Sequence, residues 1–201
     1  MNGHDLAIIA PFIAAVGTAI AILIADLIVP GRASVSIFVA LAGLAVTAAA
    51  TLLVGSMEAT TAFGGAYRLD ALTTFLDLLF VSIIAMTIVF APDYLVPRGL
   101  PLAEFATVLV FAMCGAMIIS ASADLLLLFL GLELMVLPGY LLAGYHKSDG
   151  YSTEGAIKYF LLGSFSSAIF LFGLAFVWGL SGSTNSRRIR AKAPTFGPTD
   201  R

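Results

Sequence analysis

Six long apolar stretches separated by short, punctuated loops leave this chain few ways to fold. They run from Leu6 to Val29, Ser34 to Gly55, Ala71 to Phe90, Leu102 to Ser120, Leu125 to Gly144 and Thr153 to Leu180. A hydrocarbon layer about 30 Å thick takes about 20 apolar residues at a rise of about 1.5 Å each, so every stretch is predicted to be a membrane-crossing helix. Inside hydrocarbon each backbone N–H and C=O needs an internal partner, which a helix supplies and an open strand does not. The expected fold class is therefore all-α, a polytopic membrane protein with six transmembrane helices over residues 1 to 185. Composition agrees: the chain is 60% apolar and only 11% charged, against about 25% charged in soluble domains.

The connections carry helix-stopping residues. Pro30-Gly31 follows the first stretch, Gly64-Gly65 lies in the second loop, and Pro92, Pro97 and Pro101 mark the third. The longest loop, Ser56 to Asp70, contains Ala-Phe-Gly-Gly-Ala-Tyr-Arg and is expected to form a small two-stranded turn at the membrane surface. The leader Met-Asn-Gly-His-Asp has neither Lys nor Arg, and the first stretch is too long for a cleavable signal, so it is expected to stay as a spanning helix.

Arg32, Arg98, His146 and Lys147 fall in the odd loops and only Arg68 in the even ones, which places the odd loops in the cytoplasm and the N-terminus outside. The tail from 186 to 201 contradicts that pattern with Arg187, Arg188, Arg190, Lys192 and Arg201. Lacking apolar periodicity, it is expected to be disordered. Either it is a genuine basic anchor with the topology inverted, or it is non-native, as a frameshift or premature truncation would produce.

A formal charge of −2 without a basic stripe excludes nucleic acid as a main partner. The one cysteine, Cys114, lies in an apolar run, so neither a disulfide framework nor a Cys/His metal cluster is expected.

Asp5, Asp26, Asp77, Asp93, Glu104 and Asp124 fall near helix ends, where they are expected to reach interfacial water or to cap helices. Glu133 does not: it lies about 13 Å from one membrane face and about 16 Å from the other at helical rise. A carboxylate there costs roughly 2.5 to 3.5 kcal/mol to insert, so it faces a partner, a water cavity or an ion route, or stays protonated in a helix interface. Pro138 lacks the N–H for the carbonyl of Leu134, and a kink is expected beside Glu133, as packing or as the wall of a hydrated pocket.

Lys158 has two readings: an i,i+4 pair with Glu154 whose stem snorkels to the surface, or a partner for Glu133 bridged across about 8 Å by water or a bend. Two such groups in one apolar pocket shift each other's protonation, which is the chemistry of a proton relay. Gly163, Ser164, Ser166, Ser167 and Ala168 permit close helix approach, as packing or as part of a hydrogen-bonded path.

The segments from Ala123 to Tyr140, from Ser152 to Ala168 and from Gly182 to Asn185 closely resemble subunit N of proton-pumping NADH:quinone oxidoreductase, respiratory complex I. Thr153-Glu-Gly-Ala-Ile-Lys-Tyr-Phe-Leu-Leu-Gly favours subunit N over the related subunits L and M and the sodium/proton antiporters. The resemblance implies a partial antiporter-like fold, with Glu133 and Lys158 as proton-relay residues and no catalytic chemistry in this chain alone. NAD(H), FMN, iron–sulfur clusters and quinone are then expected in other subunits.

It also implies other complex I membrane subunits as partners, especially the antiporter-like ones, together with the lipid bilayer, and a bacterial inner-membrane location. The family fold has about fourteen helices in inverted repeats, so the resemblance implies a truncated, N-terminal part of that subunit. The alternative is a non-enzymatic structural remnant, or part of a multisubunit sodium/proton antiporter.

Overall fold

The structure, a computed structural model, describes residues 3–192. In chain order its elements are α1 (Gly3–Ile8), α2 (Ala10–Ile28), α3 (Ala33–Gly55), β1 (Thr60–Ala62), β2 (Tyr67–Leu69), α4 (Ala71–Leu95), α5 (Leu102–Ala121), α6 (Leu125–Ala143), α7 (Gly150–Ser181) and α8 (Ser186–Lys192). Helices α2 to α7 are the 6 long and apolar enough to cross a membrane.

The expected surface turn is present. Strands β1 and β2 pair antiparallel with Thr60 opposite Leu69, Thr61 opposite Arg68 and Ala62 opposite Tyr67. The chain reverses through Phe63, Gly64 and Gly65 at φ 52°, 66° and 88°. Three successive left-handed residues are tolerable because two of them lack a Cβ.

The first span starts at Ala10 rather than Leu6, Gly3–Ile8 being a separate short helix, and three further expectations change. Helix α4 continues past Phe90 to Leu95 with Pro92 inside it, since a proline removes one helical bond without forbidding the next turn. It closes in a tight turn at Gly99, φ 64°, whose N–H donates to the Val96 carbonyl at 3.0 Å. Helix α7 starts at Gly150, three residues earlier than expected, because Asp149 caps it, its Oδ1 accepting from the Tyr151 N–H at 3.1 Å.

The third correction concerns the tail, expected to be disordered from residue 186. Residues Ser186–Lys192 are helical. Asn185 Oδ1 accepts from the N–H groups of Arg187 and Arg188 at 3.2 and 3.4 Å, and the Ser186 N–H donates to Ala123 O at 3.0 Å. This cap anchors the helix start independently of any apolar pattern. Lys192 Nζ turns back to the Ser181 carbonyl at 2.7 Å, putting a cation at the C-terminal end of α7 where the helix dipole favours one. The rest of the expected tail, 193 to 201, lies outside the described residues.

Helix α5 is the centre of the bundle, packed by α2, α3, α4 and α6. Its core contains Val110, Met113, Cys114 and Met117, all buried against Ala15, Ala19, Leu44 and Ile88. With lipid tails as apolar as leucine, close approach rather than water exclusion holds such helices together, and small residues provide it. Gly115 of α5 lies directly on the α6 backbone at Met135, and Gly131 of α6 lies on Ile118 and Ile119 of α5. Helix α7 differs: among the membrane helices it packs chiefly on α6, and no part of its apolar window is buried.

Candidate functional site

Helix α6 is held at its start by Asp124. Oδ1 accepts from the Leu126 N–H at 2.9 Å and Oδ2 from the Thr184 hydroxyl at 2.7 Å, while the Leu125 N–H donates to Thr184 O at 2.9 Å. Asp124 is thus the capping group expected for it, and it also ties α6 to the end of α7. Pro138 lies inside α6, which continues past it to Ala143. It is buried, seven residues on from Gly131 and so on the α5-facing side, and does not line the Glu133 cavity.

Between α6 and α7 lies a cavity of about 340 Å³ lined by Phe129, Leu132, Glu133, Val136 and Tyr140 from α6 and by Tyr159, Gly163, Ser166, Ser167 and Phe170 from α7. Both sets recur at three, four and seven residues, one face of each helix. Aromatic pairs bound its two ends. Phe129 stacks on Phe170 with centroids 6.1 Å apart and planes at 11°, and Tyr140 meets Tyr159 edge to face at 4.9 Å and 80°. The Tyr140 hydroxyl overlies Gly163, where any Cβ would collide with it.

Glu133 is half-buried at mid-cavity. Among the described residues no side chain hydrogen-bonds or ion-pairs with its carboxyl. Ser166 spends its hydroxyl on the Leu162 carbonyl of its own helix at 3.0 Å, which leaves Ser167 as the cavity's other serine hydroxyl from α7. The two aromatic contacts also set the register of the antiparallel pair: Glu133 lies level with Ser166, and Lys158 level with Leu141. Eight residues of α6 separate those levels, about 12 Å at helical rise.

The structure therefore does not bring Glu133 and Lys158 into contact. Their separation exceeds the expected 8 Å because the first turns of α7 project past the end of α6, where Gly144 abuts Ala156. Lys158 pairs instead with Glu154, one turn earlier on α7, and both side chains are exposed. That stripe lies roughly 100° around the helix from Tyr159 and the cavity. The residues that sequence reasoning missed are the aromatic ends, Phe129, Phe170, Tyr140 and Tyr159. Tyr140 carried a usable signal, being seven residues from Glu133 and so on the same face.

A larger cavity, about 650 Å³, opens between the end of α4 and the α6–α7 loop, with Thr87, Tyr94, Tyr145, His146 and Asp149 among its lining residues. Tyr145 donates to the Pro101 carbonyl, and burial, then the nearby Glu104 carboxylate, push its phenol up to about 12. Glu133 is not among this cavity's lining residues. Among the described residues no three His, Cys, Asp or Glu side chains converge as metal ligands.

Comparison with known proteins identifies the architecture. Residues 122–197 match the family described as NADH:quinone oxidoreductase/Mrp antiporter, transmembrane. The chain is 41% identical over 160 residues to NADH-quinone oxidoreductase subunit N of Moorella thermoacetica, covering 80% of this chain and 33% of that one. Against subunit N of Desulfovibrio desulfuricans it is 34% identical, covering 90% of this chain and 36% of that one.

Respiratory complex I from Thermus thermophilus contains a chain that superposes with a TM-score of 0.70 at 28% identity, covering 87% of this chain and 38% of that one. The chain is a partial N-like subunit. An archaeal membrane-bound sulfane sulfur reductase shares the fold at a TM-score of 0.73 and 19% identity, covering 96% of this chain and 40% of that one. The N-like chain thus spans well under half the length of these relatives. The family match contains the whole lining of the Glu133 cavity and runs through α8 to residue 197, beyond Asn185, where the sequence resemblance was placed.

Proposed function

We propose that this chain takes part in proton translocation coupled to electron transfer from NADH to quinone, as part of a membrane-arm subunit of NADH:quinone oxidoreductase. The observation that carries the reading is Glu133, a carboxyl at mid-membrane depth in a cavity of about 340 Å³ with no cation beside it among the described residues. A group so placed binds and releases a proton without breaking an ion pair, and the cavity gives water room to carry that proton.

Lys158 acts as the second relay group at a distance. Its charge biases Glu133 across about 12 Å of poorly screened medium, and its pairing with Glu154 gives it an alternative position when Glu133 is protonated. Pro138 weakens α6 near Glu133 and eases its movement. NAD(H), FMN, iron–sulfur clusters and quinone belong to other subunits in this reading, and the exposed surface of α7 meets other membrane subunits and lipid. The location is a bacterial inner membrane with the N-terminus outside, since Arg32, Arg98 and Lys147 share one face.

The test is Glu133→Gln in the membrane of the native host with the partner subunits present. Assembly into the complex is expected to survive while protons moved per NADH oxidised fall by more than half. Equal loss of assembly and pumping would sink the relay reading. An ion-antiporter role, which the breadth of the matched family favours as the second reading, requires instead that the loss depend on sodium.

A further inference from the structure

A second carboxyl lies deep in the membrane bundle, away from the Glu133 cavity. Asp77 of α4 was expected to be an interfacial or capping group; it is 2% exposed. It sits seven residues beyond the cap residue Asp70, about 10 Å along the helix.

The groups around it are few. Helix α5 contributes Ser120, whose Oγ lies 2.9 Å from Asp77 Oδ1. Helix α3 carries no ionisable side chain between Ala33 and Gly55. Strand β2 contributes the buried Tyr67, close enough for Asp77 to act on its phenol electrostatically, and Arg68, which is engaged by Asp70 at 2.7 Å. On α4 itself Asp70 faces Thr73, and Asp93 is four turns further on. No cation among the described residues reaches Asp77.

The hydrogen-bond geometry indicates its protonation state. Ser120 Oγ is 2.9 Å from Asp77 Oδ1 and also 2.9 Å from the Met117 carbonyl. A hydroxyl has one hydrogen and can donate to only one of these acceptors. If Ser120 donates to Asp77 Oδ1, the Met117 contact is left unmade or shares that hydrogen; if Asp77 carries the proton and donates to Ser120 Oγ, Ser120 donates to Met117 O and both contacts are full hydrogen bonds. A buried carboxylate with one hydroxyl and no cation is otherwise costly.

We propose that Asp77 is a proton-binding site of this chain, built with Ser120 between α4 and α5 and separate from the Glu133 cavity. Loaded, Asp77 donates to Ser120. On release the proton passes to water at the β1–β2 turn, the carboxylate remains, and the Ser120 hydroxyl turns from Met117 O to Asp77 Oδ1. Polar atoms line the way out: Thr73 Oγ1 lies 3.4 Å from Ser120 O and 3.1 Å from Asp70 Oδ1 at the surface.

The test is infrared difference spectroscopy of the full chain in lipid nanodiscs, in an E133Q background so that Glu133 adds no band. A protonated-carboxyl C=O band is expected that is lost in D77N, moves on exchange into D₂O, and shifts in S120A, where its hydrogen bond is gone. Labelling by a hydrophobic carbodiimide, mapped by mass spectrometry on the unmutated chain, should modify Asp77 and needs no variant to fold. No band difference in D77N, a band unaffected by D₂O, or no carbodiimide adduct on Asp77 would each overturn the proposal.

Discussion

The helices α2 to α5 and the hairpin of α6 and α7 are made of similar residues and packed differently. Helix α5 has 50% of its apolar window buried, α7 none. In the bundle, hydroxyls are used locally: Thr18, Thr47 and Thr51 donate to carbonyls one turn back at 2.8, 3.0 and 2.9 Å. Its buried acid, Asp77, sits against Ser120 at 2.9 Å and is 2% exposed. In the hairpin the acid, Glu133, faces a cavity with aromatic ends and no bonded partner among the described residues. Tight packing fixes a group in one arrangement, whereas a loosely packed seam leaves it free to exchange protons and change neighbours. Of these two carboxyls, the proposed relay therefore assigns turnover to Glu133, and the proposed proton-binding site assigns holding to Asp77.

The contrast can be broken most severely where the two regions join. Gly115→Val would drive a side chain into the α6 backbone at Met135, and backbone cannot rotate away. Overpacking of this kind costs about 3 kcal/mol, so the variant is expected to lose most of its folded yield in detergent, read by size-exclusion chromatography and thermal midpoint. A midpoint like the parent's would show that α5 and α6 are not held as closely as described.

A smaller effect sharpens the comparison at the other end of α6. Asp124→Ala removes both the cap of α6 and the bond from Thr184. A lost cap costs about 1 to 2 kcal/mol. The variant is expected to melt in two stages, α6 and α7 first, seen as early amide exchange in Leu125–Ala143 while α5 stays protected. Uniform exchange across both regions would contradict a weaker hold on α6 and α7 than on α5.

The smallest effect isolates the bundle. The backbone N–H of Thr73 holds the Asp70 carboxyl below the usual carboxylate range, helped by the Thr73 hydroxyl and Arg68 against a smaller burial effect. Because the folded value lies below the unfolded one, this stabilisation is present above about pH 4 and is lost as pH falls through the folded value. Asp70→Asn should lower stability slightly at neutral pH, where the carboxylate contributes, and flatten the acid side of the stability curve. An unaltered acid limb would mean that Asp70 contributes nothing as an ion.

How much of this was legible in the sequence depended on which physical signal each feature leaves. Apolar runs of about 20 residues disclosed all six spans, and Phe63-Gly64-Gly65 disclosed the hairpin because left-handed backbone needs residues that tolerate it. Glu133 stood out by depth alone. Asp77 did not, because nearness to a helix end is shared by groups facing water and groups facing a neighbouring helix; only the packing of Ser120 against it separates them. Helix α8 was missed because its start is fixed by Asn185 and Ala123 rather than by apolar spacing. The offset of Lys158 from Glu133 depended on how far α7 projects past α6, which loop length does not determine.

The most direct test of the cavity as the proton route leaves Glu133 untouched and fills the space in front of it. Ser167 lines that cavity from α7 and is half-buried, so Ser167→Phe would occupy much of it without altering any acid. Measured in the assembled complex as protons moved per NADH oxidised, the expected result is a fall approaching that of Glu133→Gln, with assembly retained. Undiminished proton movement through a filled cavity would contradict the claim that the α6–α7 seam carries the proton.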